Sequence, residues 1–391
     1  MKPRIPVHLR PIVAAAAVLC LVLVALSVAT ASSRAATIDT LAKQAVLLDM
    51  TSNTVLFEKN AREHMPTSSM SKVMTMYMVF ERLRSGRLTL EDTLPVSQRA
   101  WRTQGSKMFV ELNARIKVEN LVRGVIVQSG NDAATVLAEG LSGTEDAFAT
   151  EMTKRAQELG MLDTNLVNAN GWPDDRHYST AYDLALLAEH MIQDFPEYYH
   201  YYSETEFTYH GIKQGNRNPL LYRGMGVDGL KTGHTEAGGY GLMVSAMRNG
   251  RRLILVANGM PSMQARADES AKLLEWGFRE FESYPLFKAG EPIDQAPVWM
   301  GAMDTVPVVV AHDVQVTMNR DERKDLKVSL VLNAPVQAPV AKGTPIGKLV
   351  ISAPSTGFVT KEVPVIAGDD IAKTGRLGRI AAAAKYLVTG R

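Results

Sequence analysis

Ala45 to Met50 and Thr54 to Glu58 are short, mainly apolar runs on either side of the small-residue link Thr51-Ser52-Asn53. That pattern predicts two strands joined by a tight turn. Val73, Met74, Met76, Val79, Phe80 and Leu83 then recur at helical spacing. They predict a helix beginning near Ser68 or Ser69, running to Arg84 and stopped by Gly86. Four methionines on this segment, Met70, Met74, Met76 and Met78, read as core packing rather than metal ligands, because they share the helical period. Val118 to Gln128 is a second helical run, and a third helix is expected from about Asp132. Tyr178 to Gln193 predicts another, with Thr180 as its cap and Asp183 three residues on. Leu242 to Met247 and Leu253 to Val256 flank Asn249-Gly250, the strongest hairpin signal in the chain. Glu269 to Phe281 predicts the last helix of this region. Strands at both ends with helices between them imply one sheet assembled from the two ends of a domain, with a helical part inserted.

After Tyr284-Pro285 the texture changes. From about Pro297 to Gly368 short alternating runs, such as Val314 to Met318 and Leu326 to Leu332, are punctuated by proline and glycine, which predicts a small all-β module. The stretch from Ile371 to Arg391 is compatible with an amphipathic helix, basic at Lys373, Arg376, Arg379 and Lys385. It fits a surface-lying membrane helix or an ordinary capping helix. At the other end Lys2, Arg4 and Arg10 precede an apolar run, Ile12 to Val28, and the small residues Ala29-Thr30-Ala31. This is the layout of a secretory signal peptide, cleaved between Ala31 and Ala35. The expected organisation is therefore a signal peptide over 1–35, a catalytic domain over 36–286, a β-rich domain over 287–370 and a membrane-associating helix over 371–391.

Composition adds exclusions. A formal net charge of +2 over 391 residues, without a basic run interleaved with aromatics, argues against a nucleic-acid partner. The single cysteine, Cys20, lies in the leader, so an exported mature chain has no disulfide and needs an ordinary core. The eight histidines include no H-E-x-x-H pair, so neither a metal nor another cofactor is expected. His177 and His234 read as structural or substrate-lining.

The candidate chemistry lies in three motifs in fixed order: Ser69-Met70-Ser71-Lys72, Ser129-Gly130-Asn131 and Lys231-Thr232-Gly233. Each alone is weak, and order and surroundings carry the reading. A serine hydroxyl is inert at neutral pH unless a base takes its proton. Ser69 and Lys72, three residues apart on a helix, share a face and can meet. To act as that base Lys72 must be neutral, which requires burial and nearby cations, with Lys231 the obvious second cation. Ser129 can relay a proton to a departing amine, and Asn131 can orient the substrate or Lys72. Lys231 and Thr232 would meet a carboxylate, on an edge strand where Gly233 permits close approach of an extended peptide.

These motifs, with Asp49, Pro66, Gln128 to Ala133, His177 to Ala181, Asn216-Arg217-Asn218 and Val227 to Thr235, resemble the serine-type D-alanyl-D-alanine carboxypeptidases, the low-molecular-mass penicillin-binding proteins, over residues 40 to 370. The resemblance implies an α/β (α+β) catalytic domain of the serine β-lactamase/DD-peptidase kind, with a central antiparallel sheet and an inserted helical part, followed by the small all-β domain. It implies that Ser69 is acylated, Lys72 is its base and Ser129 protonates the leaving D-alanine. Asn131 would hold the substrate amide, and Lys231, Thr232 and Arg266 the terminal carboxylate. Backbone N–H groups of Ser69 and His234 would form an oxyanion hole. The partners implied are peptidoglycan stem peptides, β-lactams as covalent inhibitors, and the outer face of the cytoplasmic membrane, in the periplasm. Ser71 stands where the family more often has threonine, and the hydroxyl is kept.

Three rival readings share parts of this equipment. A class A β-lactamase has the same motif order but carries an E-x-x-L-N-type loop between the second and third motifs, which is missing between Asn131 and Lys231. A D,D-endopeptidase differs only in what lies beyond the scissile bond. A non-catalytic wall-binding protein fits poorly, since every catalytic position is filled.

Overall fold

The computed structural model describes residues 38–356 and 358–375. The expected signal peptide, its cleavage site and Cys20 lie outside the described residues, as does most of the expected C-terminal helix. The part of that segment within reach is not helical: Ile371 and Lys373 form single bridges with Val340 and Gly301 of the β module.

In chain order the catalytic region consists of β1 (Gln44–Asp49), β2 (Thr54–Lys59), α1 (Lys72–Arg84), α2 (Val118–Ile126), α3 (Asn131–Ser142), α4 (Glu145–Glu158), α5 (Ala181–Asp194), β3 (Val227–Thr235), β4 (Gly239–Arg248), β5 (Arg251–Met260) and α6 (Met263–Glu280). The five strands form one antiparallel sheet in the order β2-β1-β5-β4-β3. Strands from both ends of the region thus meet at β1 and β5, and the helical part is inserted between β2 and β3.

Alternation along the inner strands feeds two cores, because successive side chains point to opposite faces. Val46, Leu48, Met243, Ile254 and Val256 join the core beneath the inserted helices. Their neighbours Leu47, Leu242, Val244, Leu253 and Leu255 pack instead with Leu273, Leu274 and Trp276 of α6. A sheet covered on both faces reads as near-continuous apolar runs. Helix α1 is buried almost all round, from Lys72 to Phe80, as expected of a helix in the middle of a core. Met70, Met74, Met76 and Met78 pack there.

Boundaries differ from expectation in places with clear causes. Ser68–Ser71 is a 3₁₀ turn, and the α-helix proper starts at Lys72. Tyr178-Ser179 pairs with Met65-Pro66 as a two-residue ladder, and α5 begins only after Thr180, whose side chain accepts from the Asp183 N–H at 3.0 Å. Helix α6 starts six residues earlier than expected, capped by Ser262. Its first turns carry Gln264, Arg266 and Asp268 and hide the apolar period.

Past α6 the chain runs straight into a strand, Phe281–Phe287, which pairs with Val314–Asn319 of the β module. The crossover therefore comes at Phe281, earlier than the change of texture in the sequence. The rest of the module is a six-stranded sheet around Val306, Val308, Val316, Met318, Ile351 and Val365.

One buried carboxylate joins the two parts. Asp49, at the end of β1, is fully buried, and its Oδ2 meets Arg251 Nε at 2.6 Å. Thr317 of the β module donates its hydroxyl to the same oxygen at 2.9 Å. Oδ1 accepts the backbone N–H groups of Thr51 and Ser52, closing the β1–β2 turn. Two more module residues reach that turn, Lys361 to the Ser52 carbonyl and Gln315 to the Thr51 carbonyl. Removing one partner of a buried pair strands the other charge. Asp49→Asn, which leaves Arg251 uncompensated, is therefore expected to cost about 3 kcal/mol and to lower the urea midpoint. An unchanged midpoint would show that the carboxylate does not sustain this joint.

Candidate active site

The nucleophile turn is shaped by backbone that tolerates little else. Ser68 adopts a positive φ of 50°, and only Ser69 among Thr67–Lys72 keeps partial exposure. Two glycines let other segments press against this turn. A Cβ on Gly171 (φ +79°) would lie 1.9 Å from the Ser68 carbonyl oxygen, so no side chain fits there. A Cβ on Gly233 would meet Thr67 O at 3.0 Å and the side chains of Met70 and Ser68 at 3.1 Å. The space that sequence reasoning reserved for an approaching peptide is thus taken by the nucleophile turn itself. Ser71 donates its hydroxyl to Ser68 O at 2.9 Å, which keeps the hydroxyl role at this position.

Lys72, the first residue of α1, is wholly buried. Its Nζ lies 2.8 Å from Ser69 Oγ, 2.7 Å from Asn131 Oδ1 and 2.6 Å from the Asn170 carbonyl oxygen. Two of these neighbours can only accept, since Asn131 Nδ2 is committed to Gln104 O at 2.7 Å and fixes the amide orientation. A neutral amine has two N–H bonds and one lone pair. Once the N–H bonds go to the two carbonyls, the lone pair faces the Ser69 hydroxyl. Burial, helped by the Arg217 charge and opposed by Asp132 and Glu145, lowers Lys72 from 10.5 to about 7. The geometry and the electrostatics both prepare a general base.

The second motif occupies a strained loop. Ser129 has φ 58°, a backbone state that a non-glycine residue adopts only when its surroundings impose it. Asp132, the second residue of α3, accepts the N–H groups of Met108, Phe109 and Val110 and holds that loop beside it. Ser129 Oγ accepts from Lys231 Nζ at 2.8 Å, and Lys231 also donates to Thr232 O at 3.2 Å.

Lys231 and Thr232 are buried on β3, the outermost strand of the sheet. Burial pushes Lys231 well below its ordinary value, and the charges of Lys72, Arg217 and Arg266 push it the same way. Arg266, buried at the start of α6, lies over the Tyr240 ring at 5.8 Å. Its Nε has no hydrogen-bond partner among the described residues. Cations crowded together with no carboxylate against them among the described residues form a receptor for an anion, whose arrival would restore the Lys231 charge. His234 is exposed beside them, its ring against Tyr240 at 4.0 Å.

Of the expected site residues, Ser69, Lys72 and Asn131 are joined by hydrogen bonds, Ser129 bonds to Lys231, Gly233 packs on the nucleophile turn, and His234 and Arg266 meet at Tyr240. Asn131 proves to orient Lys72, with both ends of its amide engaged inside the protein. Two participants had been given no role. Asn170 supplies the second carbonyl to Lys72; its Asn-Gly step is a turn signal that the sequence reading passed over. Arg217, exposed at the rim, donates to Ser106 Oγ, and its charge disfavours the ammonium form of both lysines. Its place in Asn216-Arg217-Asn218 marked the segment but not the task. Glu145, an acid between the second and third motifs whose charge reaches Lys72, has both oxygens occupied. It pairs with Arg99 at 2.9 Å and accepts the Ala169 N–H at 3.1 Å. It holds the Asn170 loop in place, unlike the water-activating glutamate of a β-lactamase.

Comparison with known proteins finds relatives over most of the chain. The family model for D-alanyl-D-alanine carboxypeptidase matches residues 29–262. That for the penicillin-binding protein 5 C-terminal domain matches residues 281–373. The D-alanyl-D-alanine carboxypeptidase DacA of Haemophilus influenzae is 37% identical over 86% of this chain and 86% of its own length. The crystal structure of penicillin-binding protein 5 from that organism superposes with a TM-score of 0.80 at 37% identity, covering 86% of this chain and 99% of its own. Penicillin-binding protein D2 of Listeria monocytogenes, solved in its ampicillin-bound form, gives 0.57 at 31% identity, covering 62% and 100%.

Since only neutral Lys72 can take the Ser69 proton, acylation should accelerate with rising pH and level off above about 7. Arg217→Gln removes a cation that disfavours the ammonium, so the rising limb should move to higher pH. The pH dependence of the second-order rate of acylation by a β-lactam checks both. A limb that Arg217→Gln leaves in place would contradict the assigned electrostatics.

Proposed function

Because this chain belongs to the D-alanyl-D-alanine carboxypeptidase family, we propose that it works through Ser69 as follows. The chain is a serine-type carboxypeptidase of the penicillin-binding kind. The observation that carries the residue assignment is Lys72 held by two carbonyls with its third contact on Ser69 Oγ. A stem peptide ending in D-alanyl-D-alanine lies along β3, its terminal carboxylate among Lys231, Thr232 and Arg266. Lys72 accepts the Ser69 proton as Oγ attacks the carbonyl carbon of the penultimate D-alanine. The developing oxyanion is received by the Ser69 and His234 N–H groups, where losing one donor typically costs a hundred- to a thousandfold in rate. Ser129, bonded to Lys231, gives its hydroxyl proton to the nitrogen of the leaving D-alanine and is reprotonated by the proton that Lys72 took from Ser69, so Lys72 is neutral again. Water then hydrolyses the Ser69 ester. A β-lactam follows the first half of this course, and its opened ring stays attached, since no second molecule has left.

This reading further puts the enzyme in the periplasm. The basic residues ahead of Ile12 to Val28 and the small residues at Ala29 to Ala31 support export. The basic amphipathic pattern beyond Gly375 supports a surface-lying anchor. A chain ended at Gly375, which spares the Ile371 bridge to Val340, should leave the membrane fraction for the soluble one. If it stays with the membrane, the anchor lies elsewhere.

Intact mass followed over time after mixing with benzylpenicillin tests the chemistry. A stoichiometric adduct, slowly lost, is expected for the unaltered protein and none for Ser69→Ala. Rapid loss with consumption of the drug would identify a β-lactamase, and an adduct on Ser69→Ala would displace the nucleophile.

A further inference from the structure

Glu145 belongs to none of the three motifs, yet two separate features tie it to the general base. It is the first residue of α4 and 5% exposed, behind a Thr144 cap that accepts the Ala147 N–H at 3.1 Å. Its Oε1 accepts the Ala169 N–H at 3.1 Å and faces the Asn170 side-chain amide at 3.5 Å. Thr75 of α1 donates to the Ala169 carbonyl oxygen at 2.6 Å, so Ala169 is held at both of its backbone groups. The next carbonyl along the chain is that of Asn170, 2.6 Å from Lys72 Nζ. Ala169 is fully buried, so an N–H without Glu145 would lose its partner where water does not reach.

The second feature is charge. Lys72 is faced by Asp132 of α3, Glu145 of α4, Arg217, Lys231 of β3 and, on the loop that carries Asn170, His177. The cations disfavour the Lys72 ammonium, and the two carboxylates favour it. Glu145 is faced in turn by Arg99 at 2.9 Å, which also reaches Asp146 at 3.3 Å. Charge and position can be separated at this residue. Removing the charge while keeping an acceptor changes the pH at which Lys72 gives up its proton. Removing the acceptor as well loosens the carbonyl that aims the amine.

Resting on the serine reading above, we propose that Glu145 is a positioning residue for the general base. Through Ala169 it fixes the Asn170 carbonyl that turns the Lys72 lone pair toward Ser69, and its charge sets the pH at which acylation switches on. The working pH of the enzyme is thus governed partly from α4, by a side chain that touches neither Ser69 nor the peptide. The anion keeps the amine basic enough to take the serine proton in a space otherwise crowded with cations.

The test is the pH profile of the second-order rate of acylation by benzylpenicillin in the unaltered protein, Glu145→Gln and Glu145→Ala. In Glu145→Gln the amide oxygen still accepts the Ala169 N–H, and Arg99 keeps Asp146. Its rising limb should move to lower pH, opposite to Arg217→Gln, with most of the plateau rate retained. Glu145→Ala should shift the limb in the same direction and lower the plateau by roughly ten- to a hundredfold, the cost of a misplaced catalytic group. A purely structural role would reduce the amount of folded protein and leave the limb in place. A Glu145→Gln limb that stays or moves to higher pH overturns the charge role, and does so even where Glu145→Ala fails to fold. A folded Glu145→Ala with the plateau of Glu145→Gln overturns the positioning role. If the unaltered protein forms no adduct at all, the serine reading itself falls; a normal adduct with an unmoved limb removes only Glu145.

Discussion

The site depends on one constraint, the confinement of a lysine amine between two carbonyl oxygens in a dry, cation-rich space. Lys72 Nζ has no water-facing direction, and two of its three contacts are acceptors. Moving a lysine from 10.5 to about 7 corresponds to about 5 kcal/mol by which the ammonium is disfavoured. A small domain has little net stability to spare, and the surrounding structure must offset this. The two cores on either face of the sheet, with α1 buried between the helices and β1, β4 and β5, supply that reserve.

Much of the polar framework near the site can be understood as holding the two carbonyls still. Asp132 fixes the loop that carries Gln104, which in turn fixes the Asn131 amide. Glu145, anchored by Arg99, fixes Ala169 and with it the Asn170 carbonyl. Thr75, one turn along α1 from Lys72, donates to Ala169 O at 2.6 Å and ties the same loop to the helix. The two carboxylates thus do a second job, since they partly offset the cations around Lys72 without touching Ser69. On the far side, Lys231, Arg217 and Arg266 are crowded by one another. That crowding disfavours the unoccupied site and is relieved by the carboxylate of a substrate, so binding energy appears where the reaction needs the peptide anchored.

The three motifs were legible because serine, lysine and asparagine in that order have few other reasons to coincide, and because helix caps and the Asn249-Gly250 hairpin set the sheet. The two cores were not read from the sequence, although apolar runs in the inner strands are what a sheet covered on both faces produces. Less legible were contacts made across long sequence distances by backbone atoms. Nothing in the identity of Asn170 announces that its carbonyl serves Lys72, since any residue carries one. Gly233 was read as room for a substrate because an edge strand and a missing side chain suggest it. Only the packed Thr67–Met70 turn shows what fills the room. The start of α6 was missed because its polar first turns carry Arg266 into the site, so function there overrides the apolar period.

The central claim is that Lys72 titrates near 7 before any ligand binds, so that the neutral amine is well populated at physiological pH. The direct measurement is an NMR titration of the Lys72 side chain, assigned by comparison with Lys72→Arg. The account predicts a midpoint near 7, far from the surface lysines. A midpoint near the ordinary lysine value of about 10.4 would contradict it and require another base for Ser69.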